Sequence, residues 1–456
     1  MIMGLATFVV GILPNYDAIG ITAPIILIGL RLLQGLAVGG EYGGAVVYVA
    51  EHAPAKKRGA FTSWIQTTGT VGFLLSLSVV LVTRLTLGEP AFAAWGWRIP
   101  FLLSIVLLGI SVWIRLSLEE SPVFAKMKSE GKLSKAPLSE AFGRWTNIKI
   151  ALSALFGLVA GFGVVWYTAQ FYTLLFLTQT LKVDGPTANI MVLIALLAAT
   201  PFFVFFGTLS DRIGRKKIVL TGILLAGLAF FPTFKAITHY ANPALEKALA
   251  DSPVVLVADP ADCHFQFNLT GASKFLSSCD IAKAKLVSSS VNYSSEVAPT
   301  GSVAAIRVGS QTITSYDGTG LDKETFGAKE KAFVGGITTA IKSAGYPTAA
   351  DPAQVNKPMV TLLVFALVFL LAMAYGPVAA LLVELFPTRI RYSGLSLPYH
   401  IGTGWFGGLT PTIAFAMVAY QGDIYYGLWF PVIVSLVTAA IGFIVIRETK
   451  DVDITS

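Results

Sequence analysis

Apolar residues run along this chain in long blocks, separated by short polar knots. Runs of about 20 residues or more, long enough for a helix to cross a bilayer core, cover 22–50, 60–83, 99–117, 149–178, 187–208, 218–239, 358–383, 394–420 and 424–446. A shorter run, MIMGLATFVVGIL, opens the chain. It lacks the basic start and small-residue cleavage site of a signal peptide, so it reads as part of a further span. The pattern predicts about ten transmembrane helices. Ten-residue segments of alternating polarity, the mark of a membrane barrel, are not seen.

Two polar stretches divide the apolar blocks. Residues 118–147 form a linker between an N-terminal bundle over 1–117 and a C-terminal bundle in two parts, 148–239 and 357–447. The second stretch, 240–356, is an insert rich in Ser, Ala, Thr and Asp, and a tail over 448–456 ends the chain. In the insert, AAIRVGSQTITSYDG alternates apolar and polar residues around Gly309-Ser310, which predicts a β-hairpin with a Gly-first turn. KEKAFVGGITTAIKSAGY predicts a short helix weakened by its paired glycines. Cys263 and Cys279, the two cysteines of the chain, both fall here. They form either a disulfide, which an oxidising compartment would favour, or two unpaired thiols. The fold class expected is an all-α polytopic membrane protein with a small α+β insert.

Charge is scarce, at 13% of residues, and its placement orients the chain. Lys56, Lys57 and Arg58 share one short loop; Arg212, Arg215, Lys216 and Lys217 share another; Arg389 and Arg391 a third. Lys126, Lys128, Lys132, Lys135 and Arg144 mark the linker. With alternating spans these loops lie on one side, which the positive-inside rule assigns to the cytoplasm. The insert is then extracytoplasmic and the C-terminus cytoplasmic, in a multi-pass protein of the inner membrane. A nucleic-acid footprint would gather the charge on one folded face, so the net charge of +7 does not indicate nucleic acid.

The two bundles carry matching segments. EHAPAKKR (Glu51 to Arg58) and ELFPTRIR (Glu384 to Arg391) both read E-x-x-P-x-x-x-R at the same end of a span. A matched pair in corresponding places is what an internal repeat predicts. GTLSDRIGRKK sets Gly207, Asp211, Arg212, Gly214, Arg215 and Lys216 in a loop between two spans. There Gly214 permits a tight reversal, Asp211 suits a helix N-terminus, and the arginines suit carboxylates or helix C-termini. The bland alternative is a basic loop that only sets topology.

This loop resembles the signature of the major facilitator superfamily, and RLLQG (Arg31 to Gly35) resembles another of its motifs. Together with RLLQGLAVGGEYGG, VAEHAPAKKRG, WGWRIPF, LEESPVF and ELFPTRIRYSG, they resemble the metabolite:proton symporter family. The resemblance implies a two-bundle fold of twelve helices and proton-coupled symport of a small organic acid or zwitterion. It also implies a latch built from Gly207, Asp211, Arg212, Gly214, Arg215, Lys216, Glu51, Arg58, Glu384 and Arg391. The first copy of the charged loop would fall roughly ten residues before Met1 by the repeat spacing. The expectation is therefore a chain that lacks helices one and two and holds helices 3–6, 7–9 and 10–12 in its three apolar parts. On that expectation the alternatives are a fragment that cannot transport and a membrane-anchored receptor that uses its insert.

Candidate pathway residues follow from intramembrane polarity. Arg31, Gln34 and Glu41 fall within about 80° of helical arc, so one stripe carries all three. An intramembrane Arg marks a substrate or proton path, or a structural ion pair. Gly39, Gly40, Gly43 and Gly44 beside them allow close helix packing. Trp166, Tyr167 and Gln170 lie with Gly163 near one face, suited to a cavity or to ordinary packing. His400 either titrates or is simply hydrogen-bonded. Pro377, Pro398, Pro411 and Pro431 are expected to kink their spans. The expected partners are the bilayer, a small solute and protons, and the expected state is a monomer. The sequence shows no P-loop, metal cluster, drug-antiporter motif or catalytic triad; no cofactor is expected beyond a proton gradient.

Overall fold

The computed structural model describes residues 1–117, 129, 137–268 and 274–454. The N-terminal block holds α1 (Ile2–Ile12), α2 (Thr22–His52), α3 (Arg58–Leu87) and α4 (Arg98–Ser117). Next come α5 (Trp145–Thr180), α6 (Gly185–Ile213) and α7 (Arg215–Ala241). The insert then contributes α8 (Pro243–Asp251), α9 (Ser278–Ser288) and α10 (Lys323–Ser343). The chain returns to apolar helices α11 (Lys357–Leu385), α12 (Thr388–Gln421) and α13 (Tyr426–Val445).

Among the described residues seven helices are long and apolar enough to cross a membrane. The pair Glu89–Gly96 and Arg98–Ile114, bent by 55°, makes an eighth if it is one broken span rather than a re-entrant loop. Among the described residues, length and composition therefore give seven or eight spans rather than ten. α1 has 11 residues, which at 1.5 Å each cover about 17 Å of a roughly 30 Å core. α2 is 31 residues long, and Thr22–Gly35 is its apolar stretch within the described residues. Most of the linker, with Lys126, Lys128, Lys132 and Lys135, lies outside the described residues, as do the surroundings of Gly39 and Gly40.

Local chemistry sets the helix ends. Asp184 accepts from the Thr187 N–H at 2.9 Å and starts α6, with Pro186 in the first turn. Gly214, at φ +110°, ends α6 and begins α7. A Cβ there would collide with the Glu448 carboxylate, so backbone conformation and space both demand glycine. Pro377 interrupts α11 and Pro398 lies inside α12, as expected of kinking positions. Pro411 and Pro431 sit instead in first turns, Thr410–Gln421 and Trp429–Val445, where a missing N–H costs no internal bond.

The two blocks meet chiefly where α3 lies along α6, while α6 and α7 pack on α11, and α5 and α7 on α13. The α3–α6 crossing is close because glycines face each other. A Cβ on Gly59 would sit 2.5 Å from the Gly207 carbonyl, and one on Gly207 would sit 2.7 Å from the Gly59 carbonyl. Small residues let helix backbones approach where apolar lipid offers no hydrophobic drive to association.

In the insert, strands β1 (Val254–Ala258), β2 (Tyr293–Val297), β3 (Ala305–Val308) and β4 (Gln311–Thr314) form one sheet in the order β2-β1-β3-β4. β1 and β2 are parallel, joined through α9; the other pairs are antiparallel. The predicted hairpin is present, with Val308 opposite Gln311 and Gly309 at φ +57°. α10 runs for 21 residues through Gly335 and Gly336, longer than expected, because Phe333, Ile337, Ala340 and Ile341 bury one face. The two ends of the insert lie together: the Asn356 N–H donates to the Tyr240 carbonyl at 2.8 Å.

Cys263 and Cys279 are disulfide-bonded, with Cα atoms 5.2 Å apart across a 16-residue separation. Replacing both by serine is expected to lower the stability of the insert by about 3 kcal/mol, the chain-entropy value for such a loop. Hydrogen exchange of β1 and α9 measures it. Unchanged protection would show that the bond carries no stability.

Candidate functional site

Charges gather at the end of the bundle where the α6–α7 turn lies. Glu384 on α11 is fully buried and takes two arginines. Arg215 donates to it twice, from Nε to Oε2 at 2.6 Å and from Nη2 to Oε1 at 2.9 Å. Arg58, at the start of α3, donates from Nη1 to Oε1 at 3.1 Å. Arg215 also pairs with Asp211 at 2.9 Å. The oxygens of Asp211 accept from the Gly59 and Ala60 N–H groups at 2.8 and 2.9 Å, the electropositive first turn of α3. In the other repeat Arg391 pairs with Glu51 at 3.1 Å, both nearly buried. The two E-x-x-P-x-x-x-R segments therefore pair crosswise, the Arg of each with the Glu of the other.

The tail joins this network, a contact with no signal in the sequence. Thr449 donates to Glu384 Oε2 at 2.7 Å, and Glu448 accepts from the Arg215 N–H at 2.8 Å. Arg391 reaches the Ile454 carbonyl at 3.0 Å and Arg58 the Val452 carbonyl at 3.2 Å. Lys216 donates to the Phe443 carbonyl near the C-terminal end of α13, at 2.8 Å. The Arg212 side chain is exposed, and its carbonyl accepts from Lys450 at 3.3 Å.

A second group lies deep between the blocks. Gln66 on α3 donates to the Tyr42 hydroxyl at 2.9 Å. The Tyr42 ring stacks on Tyr399 of α12 with centroids 3.7 Å apart. The Tyr399 hydroxyl meets that of Tyr375 at 2.9 Å, and Phe162 lies against both rings. None of these tyrosines is among the candidates read from the sequence. Tyr42 and Tyr399 each stand beside one that is, Glu41 and His400, and that adjacency was the available signal.

Along α5, Phe162, Trp166 and Gln170 recur every four residues. Phe171 bridges Trp166 and Tyr167 to Phe73 of α3, with centroids 4.6–5.5 Å apart. Gly163 faces the α12 backbone, and Tyr167 packs on Gly407 there. Gln170 falls in a π-helical turn, Thr168–Tyr172, a distortion frequent at functional positions. It is fully buried, and neither of its amide atoms has a hydrogen-bond partner among the described residues. The same holds for Trp166 Nε1 and the Tyr172 hydroxyl. His400 donates from Nδ1 to the Ser396 carbonyl at 2.6 Å, which leaves its buried Nε2 an open acceptor. Buried polar atoms without partners normally carry a cost of about 1–3 kcal/mol each. Set on α5 and α12, such atoms are available to recognise a polar solute.

The Arg31 stripe runs along α2. Arg31 is exposed and donates to Gln34 Oε1 at 3.0 Å, with its guanidinium 5.9 Å from the Phe101 ring. Gln34 donates on to Thr7 Oγ1 at 2.9 Å, so the stripe is tied to α1. Glu41 is half-buried, ten residues further along α2.

The chain matches the family described as sugar (and other) transporter over residues 1–146 and 293–456, well over half its length. The proline/betaine transporter of Escherichia coli (strain K12) is 34% identical over 249 residues, 51% of this chain and 48% of that protein. The glycine betaine/proline/ectoine/pipecolic acid transporter OusA of Dickeya dadantii (strain 3937) is 35% identical over 250 residues, 52% and 48% of the two chains. The matched region thus spans about half the length of these curated relatives. The solved proton:xylose symporter XylE bound to 6-bromo-6-deoxy-D-glucose aligns with a TM-score of 0.55 at 16% identity, over 100% of this chain and 81% of that one, a likeness of fold. By sequence the chain belongs to the sugar (and other) transporter family.

Proposed function

We propose that the chain is a secondary transporter that moves a small zwitterionic solute with protons by alternating access. The observation that carries this reading is the crosswise pairing of Arg58 with Glu384 and Arg391 with Glu51. A lock between two bundles, made of side chains that water can also satisfy, is what a gate at one end of a central site requires. The basic loops and the tail then lie in the cytoplasm, with the insert outside, in line with the positive-inside rule.

The names of the two curated relatives support a betaine- or proline-like solute. The central chemistry suits one. Ring faces of Trp and Tyr attract a quaternary or secondary ammonium, and the open Gln170 amide can donate to a carboxylate. The buried His400 Nε2 is a further open acceptor, on α12, and Arg31, on the exposed stripe tied to α1, can draw carboxylates toward the protein.

Purified protein in proteoliposomes is expected to accumulate labelled glycine betaine or proline under an inward proton gradient, and to stop when a protonophore is added. Accumulation that ignores the gradient would refute proton coupling, and none at all would refute transport of this solute class. Gln170→Ala is expected to weaken the solute by about tenfold, the loss of one hydrogen bond to a charged group, with normal membrane insertion.

Glu384→Gln takes from Arg58 its carboxylate across the gate, a bias of about 1 kcal/mol against the closed state, while the loss to Arg215 is the same in both states. A cysteine at Ser63, buried against Gly207, is expected to alkylate several-fold faster in that background. Equal rates would show that Glu384 does not hold the bundles together.

A further inference from the structure

Where the insert meets the membrane helices, it grips the corner between α12 and α13. The Tyr293 N–H donates to the Gly422 carbonyl at 2.7 Å, and the Ile424 N–H donates to Asn292 Oδ1 at 2.9 Å. Beside this seam lies a groove of about 870 Å³, within the range of small-molecule sites. One wall is β2, the edge strand of the sheet; the other is the Gln421–Asp423 corner. Lys283 of α9 and Tyr420 line the groove between them.

Lys283 is the unusual member. It is 5% exposed, and its Nζ lies 5.5 Å from the centre of the Tyr420 ring. Among the described residues that Nζ has no hydrogen-bond or ion-pair partner. Asp280, one turn away on α9, spends both its oxygens on the backbone N–H and ring Nδ1 of His264. Burial pushes the Lys283 ammonium below its ordinary pKa, and the charge of Asp280 pulls it partly back. Lysines are almost never this buried unless paired, and the open side of the groove is where an anion would supply the pair. Asp423 lines the same groove, with Oδ1 accepting from the Tyr425 N–H at 2.9 Å. A cation and an acid thus face one cavity.

We propose that this groove is a second binding site, outside the central one, for a small zwitterion whose carboxylate pairs with Lys283 and whose cationic end faces Asp423. The inference rests on the zwitterion reading of the transported solute. Through this groove the insert holds solute beside the corner of α12 and α13.

The test uses the full chain in lipid nanodiscs and equilibrium binding of labelled glycine betaine, with choline, which lacks the carboxylate, as competitor. Wild type is expected to show two classes of site. Lys283→Met should weaken one class by about tenfold or more, the loss of a charge-assisted contact, while Lys283→Arg keeps it and choline fails to displace betaine from it. Gln170→Ala should weaken the other class and leave the Lys283-dependent one intact. If Gln170→Ala changes nothing while Lys283→Met removes a class, the central site is misassigned and the groove stands. Betaine binding that is the same in wild type and Lys283→Met, or a Lys283-dependent class that choline displaces equally well, overturns the proposal, as does the absence of any betaine binding. Retention of binding by Lys283→Arg, with matching size-exclusion profiles, separates loss of the charge from loss of the fold.

Discussion

Glu384 and the two arginines on it form a charge group that apolar surroundings would not tolerate in pieces. Removing one member of such a buried set costs several kcal/mol, because its neighbours keep their desolvation and lose their compensation. The arrangement divides unevenly between the halves. Arg215 belongs to the same half as Glu384 and Asp211 and holds both acids whether or not α3 is present. The first half brings only donors: the Arg58 guanidinium and the N–H groups of Gly59 and Ala60. Separation therefore leaves the acids of the second half still paired, and hands water a guanidinium and a helix N-terminus, groups that it solvates well. That asymmetry makes the contact strong when dry and releasable when wet. Arg391 and Glu51 form a second pair between the halves, with the acid on the first half and the guanidinium on the second.

The same glycines that bring α3 and α6 together beside the ion pairs leave the centre to larger side chains. Toward the middle of the bundle the space between the blocks is filled by rings rather than by backbone contact, through Tyr42 on Tyr399 and Phe73 on Phe171. Aromatic pairs hold in both offset and edge-to-face arrangements, whereas interlocked glycines separate or do not. The π-helical turns of α5 at Leu155–Val159, Thr168–Tyr172 and Phe176–Thr180 add slack in the helix that carries Gln170. Tight closure at one end and adjustable packing in the middle follow from residue size alone.

Much of this was legible from residues in order. Apolar runs marked most of the helices, and the charged loop and the paired Glu-Arg segments marked the residues of the buried ion-pair network. What could not be read was which Glu meets which Arg. Glu51 and Arg58 lie in one segment, and only tertiary packing decides that each reaches across to the other copy. The contacts of α1 and of the tail were equally hidden: Thr7 and Thr449 carry no periodicity that points to Gln34 or Glu384. In the insert, Val254–Ala258 is too short an apolar run to be assigned as a strand without its partners. The opposite error came at Gly335 and Gly336, where local propensity argued for a short helix and four buried side chains overruled it. Gln170 was found by its polarity; its lack of partners is visible only in three dimensions.

The hydrogen bond between Asn356 and Tyr240 has a consequence for how the molecule is assembled. More than a hundred residues leave and rejoin the membrane helices at one point, so α7 and α11 are joined as if by a short turn. The bundle is indifferent to how much chain hangs between them, because the closure entropy of a loop grows only slowly with its length. The extra module can thus be exchanged or remodelled like a cassette, acquiring new surfaces without disturbing the register of the helices that carry it.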